Sequence, residues 1–296
     1  MKNNTYQREK NRTLFLYLTI PVCLTILLVL YPLFRLFLYS LTDWNGISLT
    51  STFTGLRNYR QIFFDMPEVW LSLKNNAIYF IGHLLFIPVE ILIAYYLDRQ
   101  RRLGNFYKTM VLMPYIINGV AVSYMFSFFF SPTNGAMDSI LGFFNSGYQP
   151  IRWLSSPEIV NFTLTFVSIW RFAGFHIILF LAGVISIPRE LFEAAQIDGA
   201  GDALIFRKIV LPNIITIIEI ILFLNVRGAL QVFDIPFVMT GGGPGYASST
   251  FTILTIKTAF NFSSFGKASA MAVILFMMII FFSVIQNTIV KRSRKV

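Results

Sequence analysis

Arg227, Gln231 and Asp234 stand inside an otherwise apolar run, residues 213–239. A guanidinium, a carboxamide and a carboxylate at i, i+4 and i+7 fall on one helical stripe. Ionisable groups at that depth are costly in lipid, so the stripe is expected to face a water-filled path or a partner helix. Arg227 and Asp234 are not expected to pair on one helix, because seven residues rise about 10 Å.

Other apolar runs carry further polar groups. Trp170, Arg171 and His176 lie in residues 161–185, and Asn118, Ser123 and Tyr124 in residues 106–130. His83 and Glu90 are seven apart and share a face, but two such groups do not make a zinc site. Glu219 falls about two turns into the run that holds Arg227. There is no Gly-x-x-x-x-Gly-Lys-Ser/Thr phosphate loop, so this chain is not expected to hydrolyse ATP. No nucleophile–base pair stands out either, and the chain is not expected to be an enzyme.

The elements that position these groups follow from composition. Of 296 residues, 55% are apolar, only 13% are charged, and 32 are phenylalanine. Mean hydropathy is +0.65. A soluble globule carries about twice that charged share. Six stretches approach the roughly 20 apolar residues needed to cross a bilayer. They are residues 14–38, 72–97, 106–130, 161–185, 213–239 and 268–290. The fold class expected is all-α, a polytopic membrane protein with six transmembrane helices. No connection is long enough for a soluble catalytic domain. Pro21 and Pro32 are expected to kink the first span, which is too long for a signal peptide and lacks a cleavage site. Cys23, in an apolar run, has no internal partner.

The net charge of +10 invites a nucleic-acid reading until the charges are placed. Lys2, Arg8, Lys10 and Arg12 precede the first span. Arg99, Arg101, Arg102 and Lys108 follow the second, Arg189, Arg207 and Lys208 the fourth, and Lys291, Arg292, Arg294 and Lys295 the sixth. The opposite connections hold Arg57, Arg60, Lys74, Arg152, Lys257 and Lys267. The positive-inside bias puts both termini and the second and fourth connections in the cytoplasm of a multi-pass protein of the inner or plasma membrane. Lipid is then a partner and nucleic acid is not.

The fourth connection, residues 187–212, differs in composition from the others. Pro188 opens a run of good helix formers, and Gly199 and Gly201 interrupt it. The pattern predicts two short helices joined by a glycine bend. That is either a knob for a groove on a cytoplasmic partner or an amphipathic connector resting on lipid. Its residues Glu193, Ala194, Ala195, Gly199, Ile209, Leu211 and Pro212 reproduce Glu-Ala-Ala-x3-Gly-x9-Ile-x-Leu-Pro, and Asp198 and Ala200 complete an Asp-Gly-Ala form. This string resembles the coupling-loop motif of permease subunits of binding-protein-dependent ABC importers, carbohydrate branch. The resemblance implies that Glu193, Ala194, Ala195, Asp198, Gly199 and Ala200 dock into an ATP-binding subunit. One departure is Thr216, which stands where carbohydrate permeases often have a further proline.

A second stretch, Thr240-Gly241-Gly242-Gly243-Pro244 followed by Ser249-Thr250, is similar to a segment of maltose-type permeases. Tyr31-Pro32, Ser40-Leu41-Thr42-Asp43 and Ile169-Trp170-Arg171 fit the same branch. Gly241, Gly242, Gly243 and Pro244 read as a strong turn on the outer side, either a plain surface turn or an outer gate and docking site for the binding protein. For a sugar, Arg227, Gln231 and Asp234 would supply hydroxyl partners. Trp170 would stack or simply pack, and Arg171, Asn118 and Tyr124 join the pathway candidates.

The resemblance implies a heterodimeric assembly with a second permease subunit, a dimer of ATP-binding subunits holding ATP and Mg, and an extracytoplasmic solute-binding protein delivering a carbohydrate. No cofactor is expected in this chain. Its domains would be a cytoplasmic tail at 1–13, a six-span permease domain at 14–290 and a tail at 291–296. The alternative is a secondary transporter driven by an ion gradient, for which Glu90, Glu219 and Asp234 are available carboxylates. A multispan membrane enzyme would need a catalytic cluster, which is missing.

Overall fold

The structure is a computed structural model describing residues 2–99, 104–145 and 147–293, without side chains at 2–5, 104, 105, 287 and 289–293. Arg101, Arg102, Arg294 and Lys295, counted above in the charge bias, lie outside the described residues. The chain divides into two compact units, Met1–Met66 with Thr255–Phe276, and Pro67–Leu254 with Met277–Val296.

The first unit opens with α1 (Lys2–Thr25), a π turn (Ile26–Leu30) and α2 (Tyr31–Ser40). Pro32 has no N–H for the Leu28 carbonyl, and its ring crowds that oxygen. The turn before it widens, so that Tyr31 N–H reaches back five residues to the Ile26 carbonyl. None of the most apolar 18-residue stretch of this helix is buried within the chain, although Ser40 at its end is. Thr42 pairs with Phe53 in an isolated antiparallel bridge. On α3 (Arg57–Phe64), Asn58 Nδ2 donates to the carbonyls of Ser40 at 2.9 Å and Thr42 at 2.8 Å, which ties α3 to the helix exit. Gly46 sits at φ +88°, where any Cβ would strike the Phe265 ring.

In the second unit, α4 (Pro67–Arg99) and α8 (Val160–Ile185) form the packing axis. Ile87, Ile91, Ala94, Ile177, Phe180, Leu181 and Val184 bury one cluster between them, and Tyr79, Val122, Phe126, Leu164 and Val167 a second. α5 (Gly104–Ile116) lies so close on α8 that a Cβ at Gly174 would collide with the Val111 carbonyl. Small residues admit such close backbone approach between spans.

The third apolar stretch is not one straight span. α5 and α6 (Gly119–Phe129) meet at 90°. Asn118 leaves the helical region at ψ 133° and its Oδ1 accepts the Val120 N–H at 2.9 Å, so it ends one helix and caps the next. Among the described residues five helices are long and apolar enough to cross a membrane, and the bent α5–α6 pair, counted as one broken span, brings the number to six. The all-α, six-span fold class therefore holds, with its third span broken. α7 (Ala136–Phe144) follows that span.

The fifth stretch is interrupted too. α12 (Ile215–Gln231) ends as Val232 turns to ψ 127°, and α13 (Asp234–Thr240) begins after Phe233. Pro236 cannot donate to the Val232 carbonyl. Thr250 Oγ1 donates to it instead, at 2.8 Å. The single stripe expected for Arg227, Gln231 and Asp234 is thus corrected, because Asp234 stands on a different helix from the other two.

The glycine-rich segment does turn. Gly241 and Gly242 do take positive φ, +59° and +86°. The segment then dives inward, and Ser248, Ser249 and Thr250 are fully buried at 0% exposure. Irregular backbone among spans must find partners within the protein. Asn75 Nδ2 donates to the Ser249 carbonyl at 2.9 Å and Asn161 Nδ2 to the Ala247 carbonyl at 2.7 Å. Asn76 Oδ1 accepts the Phe251 N–H at 2.9 Å, where α14 (Phe251–Phe260) starts. α15 (Phe265–Ser293) completes the chain.

Candidate functional site

The loop between α8 and α12 folds as two short helices. α9 (Arg189–Ile197) starts behind Pro188, which is pre-set for a helix entry. It ends in a Schellman motif, in which Gly199 N–H bonds the Gln196 carbonyl at 3.1 Å and Ala200 N–H the Ala195 carbonyl at 2.9 Å. Gly199 holds φ +78° with open space around it, so conformation rather than crowding demands glycine. α10 (Asp202–Ile205) leads through a second π turn (Phe206–Val210) into α11 (Leu211–Asn213), again just ahead of a proline, Pro212. Glu193, Ala194 and Asp198 are exposed, while Ala195 and Ala200 are half-buried. Ile197 stands 87% exposed at the end of α9.

Two bidentate ion pairs fasten this knob to the end of α4. Arg189 lies 2.8 Å from both oxygens of Asp98. Arg99 Nη1 and Nη2 donate to Asp202 at 2.6 and 2.8 Å. Arg99 thus does more than set orientation. Hydrogen bonds from Arg99 hold the Asp202 carboxyl below the ordinary aspartate range, against the opposing pull of burial. The Asp98 hydrogen bond raises the Arg189 guanidinium further, again against burial.

Toward the other end of α4 lies a cavity of about 560 Å³. α4 supplies Tyr79 and His83, α8 supplies Ser168, Phe172, Phe175 and His176, α5 supplies Tyr115, and α12 and α13 supply Asn225, Arg227, Gln231 and Asp234. Tyr115 stacks on Phe175 at 4.7 Å and meets Phe172 edge-on, giving one wall an aromatic face. Arg227 Nε donates to Gln231 Oε1 at 3.2 Å. Arg171 pairs with Asp234 across helices, with Gly119 making room: a Cβ there would collide with both side chains. Among the described residues no three His, Cys, Asp or Glu side chains gather as a metal site.

The structure therefore brings Arg227, Gln231 and Asp234 to one cavity and leaves others outside its lining. Trp170 packs edge-on against Phe126 at 5.0 Å and lines apolar clefts instead. Asn118 is a helix cap, and Tyr124 is exposed and not in the cavity wall. Sequence reasoning missed Tyr79, Tyr115, Phe172, Phe175 and Asn225, which look like ordinary span residues until the helices pack. It also gave His176 no partner, whereas its Nδ1 lies 3.1 Å from Glu90 Oε1.

A profile described as the binding-protein-dependent transport system inner membrane component matches residues 86–295. The chain belongs to this family. Its members are transport permeases, and the match runs from the middle of α4 through the knob to the end of α15. A probable ABC transporter permease protein of Bacillus subtilis, YurN, is 28% identical over 97% of this chain and 99% of its own length. The multiple sugar-binding transport system permease protein MsmF of Streptococcus mutans is 30% identical over 94% of both chains. A permease chain from the crystal structure of a bacterial ABC transporter importing the acidic polysaccharide alginate superposes with a TM-score of 0.83. At 22% identity, over 98% of this chain and 99% of that one, it shares the fold.

Proposed function

We propose that this permease forms half of the translocation path of an ATP-driven carbohydrate importer. The observation that carries the reading is the attachment of the knob to α4, whose other residues wall the cavity. The knob is joined covalently to α8 and α12 and by ion pairs to α4. Any displacement of it acts on three helices that line the cavity. The knob docks on a separate ATP-binding subunit, which holds ATP and Mg, through Glu193, Ala194, Ala195, Asp198, Gly199 and Ala200. Closure of a dimer of such subunits pulls the knob and switches the cavity's exposure. The aromatic wall and the Arg227, Gln231 and Asp234 groups suit the apolar faces and hydroxyls of a sugar.

The sugar assignment draws on the relatives' carbohydrate substrates, and the basic residues at both tails and around the knob support placing them in the cytoplasm. A second permease subunit closes the open side of the cavity. An extracytoplasmic binding protein delivers the solute, and Gly241, Gly242, Gly243 and Pro244 contribute the outer gate or its docking site. The ion-gradient alternative loses ground because Asp234 and Glu90 are paired with Arg171 and His176.

The test is capture through a tag on this chain, followed by reconstitution with its binding protein. ATP-dependent uptake of maltotriose or an alginate oligosaccharide is the expected result. A preparation that contains no ATP-binding subunit and concentrates either probe on an ion gradient alone overturns the reading. Gly228→Trp tests the cavity directly. Gly228 lines it, and a Cβ there meets nothing within 4 Å, so the side chain starts from open space and its indole takes up cavity volume. Uptake is expected to stop while the subunits still co-purify.

A further inference from the structure

Behind the cavity wall sits a carboxylate that the transport scheme does not use. Glu90 is 0% exposed and His176 only 5%. His176 Nδ1 lies 3.1 and 3.2 Å from the two oxygens of Glu90. Among the described residues no other donor reaches that carboxylate. The His83 ring is 6.2 Å away, and its Nε2 is 2.9 Å from Ser168 Oγ. His83, Ser168 and His176 line the cavity, and Glu90 does not. With Nδ1 turned to Glu90, Nε2 at the far corner of the His176 ring is the nitrogen left for the cavity.

The proton count decides what that nitrogen offers. A carboxylate buried this deeply is strongly disfavoured without a neutralising charge or proton. One proton neutralises the pair. If it rests on Glu90, the carboxylic acid donates to Nδ1 and the neutral ring carries its hydrogen on Nε2. If it moves to Nδ1, an imidazolium faces a carboxylate, and Nε2 still carries a hydrogen. Shifting the proton within the pair leaves Nε2 unchanged.

We propose that the Glu90–His176 pair presents a fixed N–H donor, at His176 Nε2, to an acceptor oxygen of the carbohydrate in transit. Glu90 is the positioning residue and His176 the contact. Together with the Arg227 guanidinium it gives this cavity a donor-rich wall, selecting solutes that turn hydroxyl, ring or carboxylate oxygens toward it. The inference rests on the reading of the cavity as part of the path.

The chain has only two histidines. Nitrogen-15 histidine labelling of the membrane-embedded complex therefore shows two rings, and His83→Gln assigns them. The expected result is a protonated His176 Nε2 at neutral pH in the wild type and a mixture with bare Nε2 in Glu90→Gln. Gly228→Trp should shift the Nε2 resonance by crowding the same space. A bare Nε2 in the wild type, or one blind to Gly228→Trp, overturns the proposal.

A second arm separates contact from packing. The double variant Glu90→Leu with His176→Phe replaces a buried polar pair by apolar side chains, which a packed interior tolerates well. It should still insert and capture the ATP-binding subunit. Its uptake of whichever probe the wild type carries, maltotriose or the alginate oligosaccharide, should fall about tenfold, the worth of one hydrogen bond, with the loss in half-saturating concentration. Wild-type uptake by the double variant means the pair only packs, and overturns the proposal. Wild-type uptake by Gly228→Trp instead defeats the path reading, and the labelling result still decides the donor.

Discussion

Asp98 and Arg189 meet as an unequal pair: both contacts are 2.8 Å, yet the carboxylate is 6% exposed and the guanidinium 54%. Removing Arg189 strands a nearly buried charge, whereas removing Asp98 frees an arginine into water. Arg189→Ala is therefore expected to cost about 2 kcal/mol, and Asp98→Ala under about 1 kcal/mol. Thermal unfolding of the two variants in detergent checks the order. Equal losses would mean that the pair contributes only at the surface.

The second clamp has a pH signature. The folded Asp202 carboxyl is lowered by its bonds to Arg99, so its contribution is present above the ordinary aspartate value and is lost as pH falls through the lowered one. Amide protection across α10 is expected to stay level from neutral to mildly acidic pH and to fall only in stronger acid. Asp202→Asn should show weaker protection with no such step. Hydrogen exchange followed against pH measures both.

Gly199 separates stability from coupling. Gly199→Ala retains the N–H and costs about 1 kcal/mol for left-handed backbone. Gly199→Pro loses the bond to Gln196 and fixes φ far from +78°. It is expected to insert normally while ATP hydrolysis by the captured subunit no longer drives uptake. Unaltered uptake per ATP would remove Gly199 from the coupling path.

Asn76 holds three backbone groups at once. Its Nδ2 donates to the carbonyls of Ala229 at 2.6 Å and Leu230 at 3.2 Å, and its Oδ1 accepts from Phe251. Asn76→Leu, similar in size, leaves these groups without that partner, for a loss of about 2 kcal/mol. A lower unfolding temperature and faster exchange at Phe251 are expected. Asn76→Asp should recover only the Phe251 bond.

What the sequence discloses here depends on how far its causes reach. The α9 helix and its end are readable because Pro188 and Gly199 act on their immediate neighbours. Hydropathy finds the spans but is blind to backbone dihedrals, so it runs straight through the bend at Asn118 and the break at Val232. The local signs were present, with Pro114 and Asn118-Gly119 at the bend and Pro236 at the break. The cavity was half visible: Arg227 and Gln231 stand out as polar groups in an apolar run. The partners of Asp234 and Glu90 could not be read, because Arg171 lies 63 residues from the first and His176 lies 86 from the second. Asp98 and Arg99 are similar, since a charge count registers them without revealing whom they hold.

The break at Val232 has two causes in the chain. Pro236 withholds the donor that would continue the helix, and Thr250 supplies a substitute from a separate segment. Thr250→Val leaves the Val232 carbonyl without this donor, because the proline still cannot reach back. The break beside the cavity therefore depends on a hydroxyl 18 residues further along the chain, so Thr250 is constrained by the carbonyl it serves.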